Sequence, residues 1–131
     1  DRLQSRYRAI EANEVRYECY RAEGAEILIF AYGTVSRVCR SAIDELRARG
    51  VKAGLVRPIT LWPFPSRAVY DALAQPSVKK GLTVEISAGQ MVEDVRLAAN
   101  GIKPVEFLGY PGSRIASVDE IIERVLAMRE G

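Results

Sequence analysis

The segment Ile27-Leu28-Ile29-Phe30-Ala31 is apolar at five consecutive positions. A strand with one wet face alternates polar and apolar residues. A strand with no wet face does not, so this run reads as a strand buried on both sides, which requires packing layers above and below it. At five residues it is far short of the ~20 needed to cross a bilayer. Residues 51–56 and 81–86 repeat the pattern, and 104–108 is a further short strand. Between them lie stripes of helical spacing: Val35, Val38, Ala42 and Leu46; Val69, Ala72 and Leu73; Met91, Val95 and Ala98; Ile121, Ile122, Val125 and Leu126. Strand and helix in alternation imply right-handed crossovers and a mostly parallel sheet.

The boundaries carry local signals. Thr34 and Ser66 stand where helix N-caps are expected, and Ser117 with Glu120 spells a capping box. Gly50 and Asn100-Gly101 are C-terminal stops. Arg57-Pro58 is expected to end its strand, because proline brings no N–H to a ladder. Residues 15–20 alternate as a strand with one buried face. Residues 1–14, with Leu3, Tyr7 and Ile10 on one helical face, read as a linker helix from a preceding domain, leaving 15–131 as the domain proper. The start at Asp1 reads as the cut end of a longer chain.

Composition removes whole classes of chemistry. The 131 residues are the size of one domain. They include no histidine, so neither Ser-His-Asp nor Cys-His catalysis is available. Two cysteines, Cys19 and Cys39, cannot close a zinc site or hold a [4Fe–4S] cluster, which needs four ligands. They read as buried thiols. A net charge of +2, with acids and bases interspersed, offers no nucleic-acid stripe, and no segment resembles a signal peptide or membrane span. No nucleic-acid or membrane partner is expected, and the chain reads as cytoplasmic.

In an open α/β sheet, ligands and partners meet the loops beyond the strands' carboxyl ends. Those loops hold the unusual residues here. Tyr32, Gly33 and Thr34 begin a helix but match neither dinucleotide nor P-loop spacing. The 57–65 loop carries three prolines, Trp62 and Phe64, a combination suited to a preformed contact surface. Glu85 ends an apolar strand, where a carboxylate must be paired. It reads as structural, bound to Arg57 or to backbone N–H groups of a neighbouring turn, and pairing with Arg57 is the expectation.

Four stretches appear in order: Ala31-Tyr32-Gly33-Thr34-Val35, Arg57-Pro58-Ile59-Thr60-Leu61-Trp62-Pro63-Phe64-Pro65, Glu85-Ile86-Ser87-Ala88-Gly89-Gln90-Met91-Val92-Glu93-Asp94-Val95-Arg96, and Val105-Glu106-Phe107-Leu108-Gly109. Together they resemble the C-terminal, transketolase-like domain of the alpha subunit of a 2-oxoacid:ferredoxin oxidoreductase, in particular the 2-ketoisovalerate type. The resemblance implies a three-layer α/β/α fold with a five-stranded mixed sheet of order 1-3-2-4-5, strand 1 antiparallel. It also implies a parent complex that decarboxylates a 2-oxoacid on thiamine diphosphate with Mg, passes electrons through [4Fe–4S] clusters to ferredoxin, and forms an acyl-coenzyme A. Within it this domain would be a non-catalytic assembly element, binding no cofactor, and would contact the other alpha-subunit domains and the beta, gamma or delta subunits. Tyr32, Gly33, Thr34, Arg57, Thr60, Trp62, Phe64, Glu85, Gly89 and Gln90 are its expected interface or crevice residues. The competing reading is a small-ligand regulatory module that uses the crevice at the strand-order switch point.

Overall fold

A computed structural model describes residues 7–10, 16–59, 64–86, 89–110, 112 and 114–130. Six strands form one sheet: β1 (Tyr7–Ile10), β2 (Arg16–Tyr20), β3 (Ile27–Phe30), β4 (Ala53–Pro58), β5 (Lys80–Val84) and β6 (Val105–Leu108), in the order β1-β2-β4-β3-β5-β6. Strands β4, β3, β5 and β6 are parallel, and β2 joins β4 antiparallel. The five expected strands therefore stand in the expected order.

The sixth strand corrects the linker helix. Tyr7–Ile10 pairs antiparallel with β2, Tyr7 opposite Cys19 and Ile10 opposite Arg16. Four residues cannot distinguish a helical from an extended period. The ladder offered by the free edge of β2 decides the matter through tertiary pairing, which local spacing does not record. The remainder of the expected helix, residues 1–6 and 11–14, lies outside the described residues.

The central strand meets its sequence pattern. Ile27, Leu28, Ile29, Phe30 and Ala31 are all fully buried. Their side chains alternate between two cores. Ile27 and Ile29 join Leu55, Leu82, α1 (Val35–Ala48) and α4 (Val118–Glu130) on one face. Leu28 and Phe30 join Val56, Val105, α2 (Ser66–Leu73) and α3 (Gln90–Ala99) on the other. This is the three-layer α/β/α arrangement.

β4 ends at Pro58, as expected. Pro58 remains in the ladder opposite Tyr17, and the next amide, Ile59 N–H, donates to Arg16 O at 3.0 Å. The register with parallel β3 stops at Val56, so no neighbour on that side needs an N–H from Pro58. The caps divide. The Ser117–Glu120 box closes in both directions, at 2.8 and 3.1 Å. Neither Thr34 nor Ser66 caps with its side chain; Ser66 is already inside α2, and Ser36 Oγ donates to Gly33 O at 2.7 Å instead. Asn100 and Gly101 end α3 in left-handed conformations, and Gly50 follows α1 at φ +84°.

Two arginines reach the outer side of β6. Arg96 of α3 donates through Nε and Nη2 to Val105 O, and Arg124 of α4 donates through Nη1 to Phe107 O. The alternate carbonyl of Pro104 faces β5, accepting from Gly81 N–H, as does that of Leu108, accepting from Glu85 N–H.

Gly54 is the tightest point of the sheet. A methyl group there would lie 2.4 Å from Arg21 O and 2.7 Å from Ala22 Cα. The turn joining β2 to β3 crosses β4 at this place, and both partners are backbone. Gly54→Ala is expected to destabilise the fold by roughly 3 kcal/mol or prevent folding, as overpacking against atoms that cannot rotate away does. Gly50→Ala, which meets open space but holds a positive φ, should cost only about 1 kcal/mol. Urea unfolding of both variants checks the ranking.

Candidate functional site

The crevice at the switch point opens between β3 and β5, which lie side by side while their crossovers leave in opposite directions along the sheet. Beyond β3, Tyr32 is half-buried and Gly33 and Thr34 are exposed, Gly33 turning the chain at φ +64°. Beyond β5 stand Glu85, Ile86, Gly89 and Gln90, of which Gln90 is exposed.

Glu85 is 1% exposed, and both of its oxygens are occupied. Met91 N–H donates to Oε1 and Val92 N–H to Oε2, each at 2.8 Å. These are two of the unpaired amides in the first turn of α3. The carboxylate stands at the positive end of the helix dipole and satisfies donors that no residue at the N-cap can, since Gly89 occupies that position with φ +97°. The expected Arg57–Glu85 pair is thus replaced. The alternative partner, a neighbouring turn's backbone, holds the carboxylate, and Arg57 Nη1 donates to Glu18 Oε1 at 2.8 Å. The reason is topological: Arg57 on β4 faces Glu18 directly across the antiparallel ladder, while β3 separates β4 from β5. Glu18 was the residue missing from the sequence reading. Its place in the alternating pattern was visible, but its register against Arg57 was not.

Three half-buried aromatic residues, Tyr32, Phe64 and Phe107, rim the same end of the sheet and pack on the α2–α3 core. The Phe107 ring sits against glycines. A methyl at Gly89 would lie 3.3 Å from it, and one at Gly109 only 2.5 Å. On the opposite side, the Arg114 guanidinium lies 3.7 Å from the centre of the Tyr110 ring and bonds Glu120 at 2.6 Å. The Ser117 amide and Arg114 hold the Glu120 carboxyl down at about 2. Thr60 and Trp62 lie outside the described residues.

The donor set does not suit an iron–sulfur cluster. Cys19 packs in the α2–α3 core and Cys39 in the α1–α4 core, so the sheet separates them. Burial pushes both thiols up to about 12, away from the thiolate a metal binds. Among the described residues no group of three His, Cys, Asp or Glu side chains could hold a metal, and no helix is long and apolar enough to cross a membrane.

Comparison with known proteins places this arrangement in a family. The model for pyruvate:ferredoxin oxidoreductase core domain II matches residues 25–121. The ketoisovalerate oxidoreductase subunit VorB of Methanothermobacter marburgensis is 46% identical over 123 residues, covering 94% of this chain and 34% of its own. The 2-oxoglutarate synthase subunit KorA of the same organism is 36% identical, over 82% of this chain and 28% of its own. This chain therefore spans about a third of the length of those relatives. Among solved structures, 2-oxoglutarate:ferredoxin oxidoreductase from Magnetococcus marinus, with 2-oxoglutarate, coenzyme A and succinyl-CoA bound, superposes with a TM-score of 0.72 at 27% identity, over 85% of this chain and 19% of that one. A split-gene transketolase, an inactive beta4 tetramer, superposes at 0.68 with 17% identity over 80% of this chain and 38% of that one, a likeness of fold alone.

Two outcomes are expected. Glu85→Gln keeps one acceptor but turns an N–H donor toward a backbone N–H. It should cost about 2 kcal/mol and speed amide exchange at Met91 and Val92 selectively. The thiols set a pH limit. An unfolded thiol ionises near its ordinary value of 9.0, while the folded ones wait until about 12, so between these values the unfolded chain holds fewer protons. The stability they contribute is complete below pH 9 and should fall above it by roughly 1.4 kcal/mol per pH unit per thiol. Comparing unfolding curves of the wild type and Cys39→Ala between pH 8 and 10 isolates this slope from tyrosine and lysine titration.

Proposed function

The chain belongs to the pyruvate:ferredoxin oxidoreductase core domain II family, and on that premise we propose that it is a non-catalytic assembly domain of a thiamine-diphosphate-dependent 2-oxoacid:ferredoxin oxidoreductase of the ketoisovalerate type. In this reading the whole enzyme oxidatively decarboxylates a branched 2-oxoacid to its acyl-coenzyme A and passes the electrons to ferredoxin in the cytoplasm. Thiamine diphosphate, Mg and [4Fe–4S] clusters are held by other domains and subunits.

The observation that carries the reading is the use made of Glu85. It is the one acid buried at the switch-point crevice among the described residues, and both its oxygens are committed to α3. A general acid or base needs a free lone pair or proton aimed at a substrate. With Glu85 turned inward, the crevice presents shape and apolar surface: the half-buried faces of Tyr32 and Phe64, beside the ring of Phe107. Half-buried aromatics on a rigid frame are the residues that anchor protein interfaces. Of the expected interface set, Tyr32, Gly33, Thr34, Phe64 and Gln90 belong to this surface and Gly89 is buried behind it; Thr60 and Trp62 lie outside the described residues. Glu85 supports it from within, whereas Arg57 pairs with Glu18 on the opposite, α1 side of the sheet.

Phe64→Ala and Tyr32→Ala in the full-length subunit should weaken its association with the thiamine-diphosphate-binding partner by about 2 kcal/mol each. Circular dichroism of the subunit should stay unchanged. Analytical ultracentrifugation of the mixed subunits reads the effect. Association indifferent to both substitutions would remove the interface from this face.

A further inference from the structure

A second concave site lies on the other side of the sheet, away from the switch point. It is a cleft of about 130 Å³ lined by Glu18, Cys19, Tyr20, Arg40, Leu55 and Arg57. Such a volume holds several waters, and so has room for a phosphate or carboxylate group.

Its charges are unevenly satisfied. Most arginines described in the fold are discharged by an acid or a carbonyl: Arg49 by Glu45, Arg67 by Asp71, Arg96 by Val105 O, Arg114 by Glu120, and Arg129 by Glu26. Arg40 is half-buried, yet among the described residues its guanidinium meets only the Tyr20 ring, 4.5 Å from the centroid. The natural partner one turn further along α1, Asp44, is taken. It accepts from the Tyr20 hydroxyl at 2.5 Å and lies 3.6 Å from Arg21 Nε. Arg57 gives Nη1 to Glu18, and its Nε is buried without an acceptor. Glu18, the one carboxylate in the lining, is thus neutralised, and the lining carries a net positive charge.

A guanidinium that lies over an aromatic ring and has no acid or carbonyl partner keeps its N–H donors available to a ligand. Those are the donors by which arginine recognises planar or tetrahedral oxyanions. We propose that this cleft binds a small oxyanion, the phosphate or carboxylate group of a soluble molecule, with Arg40 as its principal ligand and Arg57 as the second. The proposal is independent of the assembly reading, because it concerns the α1 side of β2 and β4 and not the aromatic rim.

The test is calorimetric titration of the complete protein, in its native assembly, with inorganic phosphate and separately with acetate in low-salt buffer. Saturable binding at about 1 mM or tighter is expected for at least one of them. Phosphate alone marks a phosphoryl ligand, and acetate alone a carboxylate. Arg40→Met, which keeps the stem and loses only the charge over the ring, should weaken binding by at least about tenfold without lowering the unliganded melting temperature. Arg57→Lys, which keeps a cation for Glu18 but loses the forked donor, should weaken it severalfold. The exposed neighbour variant, Arg37→Met, should bind as the wild type does. No saturable binding of either anion, or binding unchanged in Arg40→Met, would overturn the assignment.

Discussion

Everything in this domain follows from a strand that has no outside. With Ile27 to Phe30 fully buried, β3 demands a helical layer on each face and a strand on each edge. α1 and α4 supply one layer, α2 and α3 the other, and alternate residues of the same four-residue strand are divided between the two cores. The crossovers leave β3 toward β4 and reach β5 from β4, so the strand order reverses beside β3. The switch-point crevice is in this sense a by-product of burying one short strand completely.

Much of this was legible in the sequence because burial on two faces and burial on one face leave different patterns in the chain. The presence of the five main strands, the capping box at Ser117 and the left-handed stop at Asn100 follow from local chemistry, while the strand order was implied by the family resemblance. The failures share a cause. Whether Tyr7–Ile10 is helix or strand and whether Glu85 or Glu18 meets Arg57 are questions of register between distant segments. A carboxylate pairs with whatever the fold brings opposite it. Glu85 shows this most plainly. Its need for partners was readable from an apolar strand end, but the choice between an arginine and a helix terminus belonged to the topology.

Glu85 also illustrates how a site can be spent on structure. A buried carboxylate at a switch point has the position of a catalytic group. With two backbone amides on its two oxygens it instead fixes the angle at which α3 leaves β5. Gly89 and Gly109 then bring the backbone close to the Phe107 ring, where any side chain would intrude. The rim is consequently a rigid aromatic surface on a scaffold whose polar groups are already satisfied. Such a surface gives up little conformational freedom when covered.

The hydrogen bonds on the outer side of β6 have a further consequence. Val105 and Phe107 are the outward-facing residues of a terminal strand, and each of their carbonyls already carries a guanidinium, one from the layer above the sheet and one from the layer below. An unmated strand is the usual seed for runaway stacking between copies. Here a newcomer would have to displace two charged donors before forming its first ladder bond. The chain is thereby protected from self-association along this margin. The protection comes from two side chains whose charge also keeps the surface soluble.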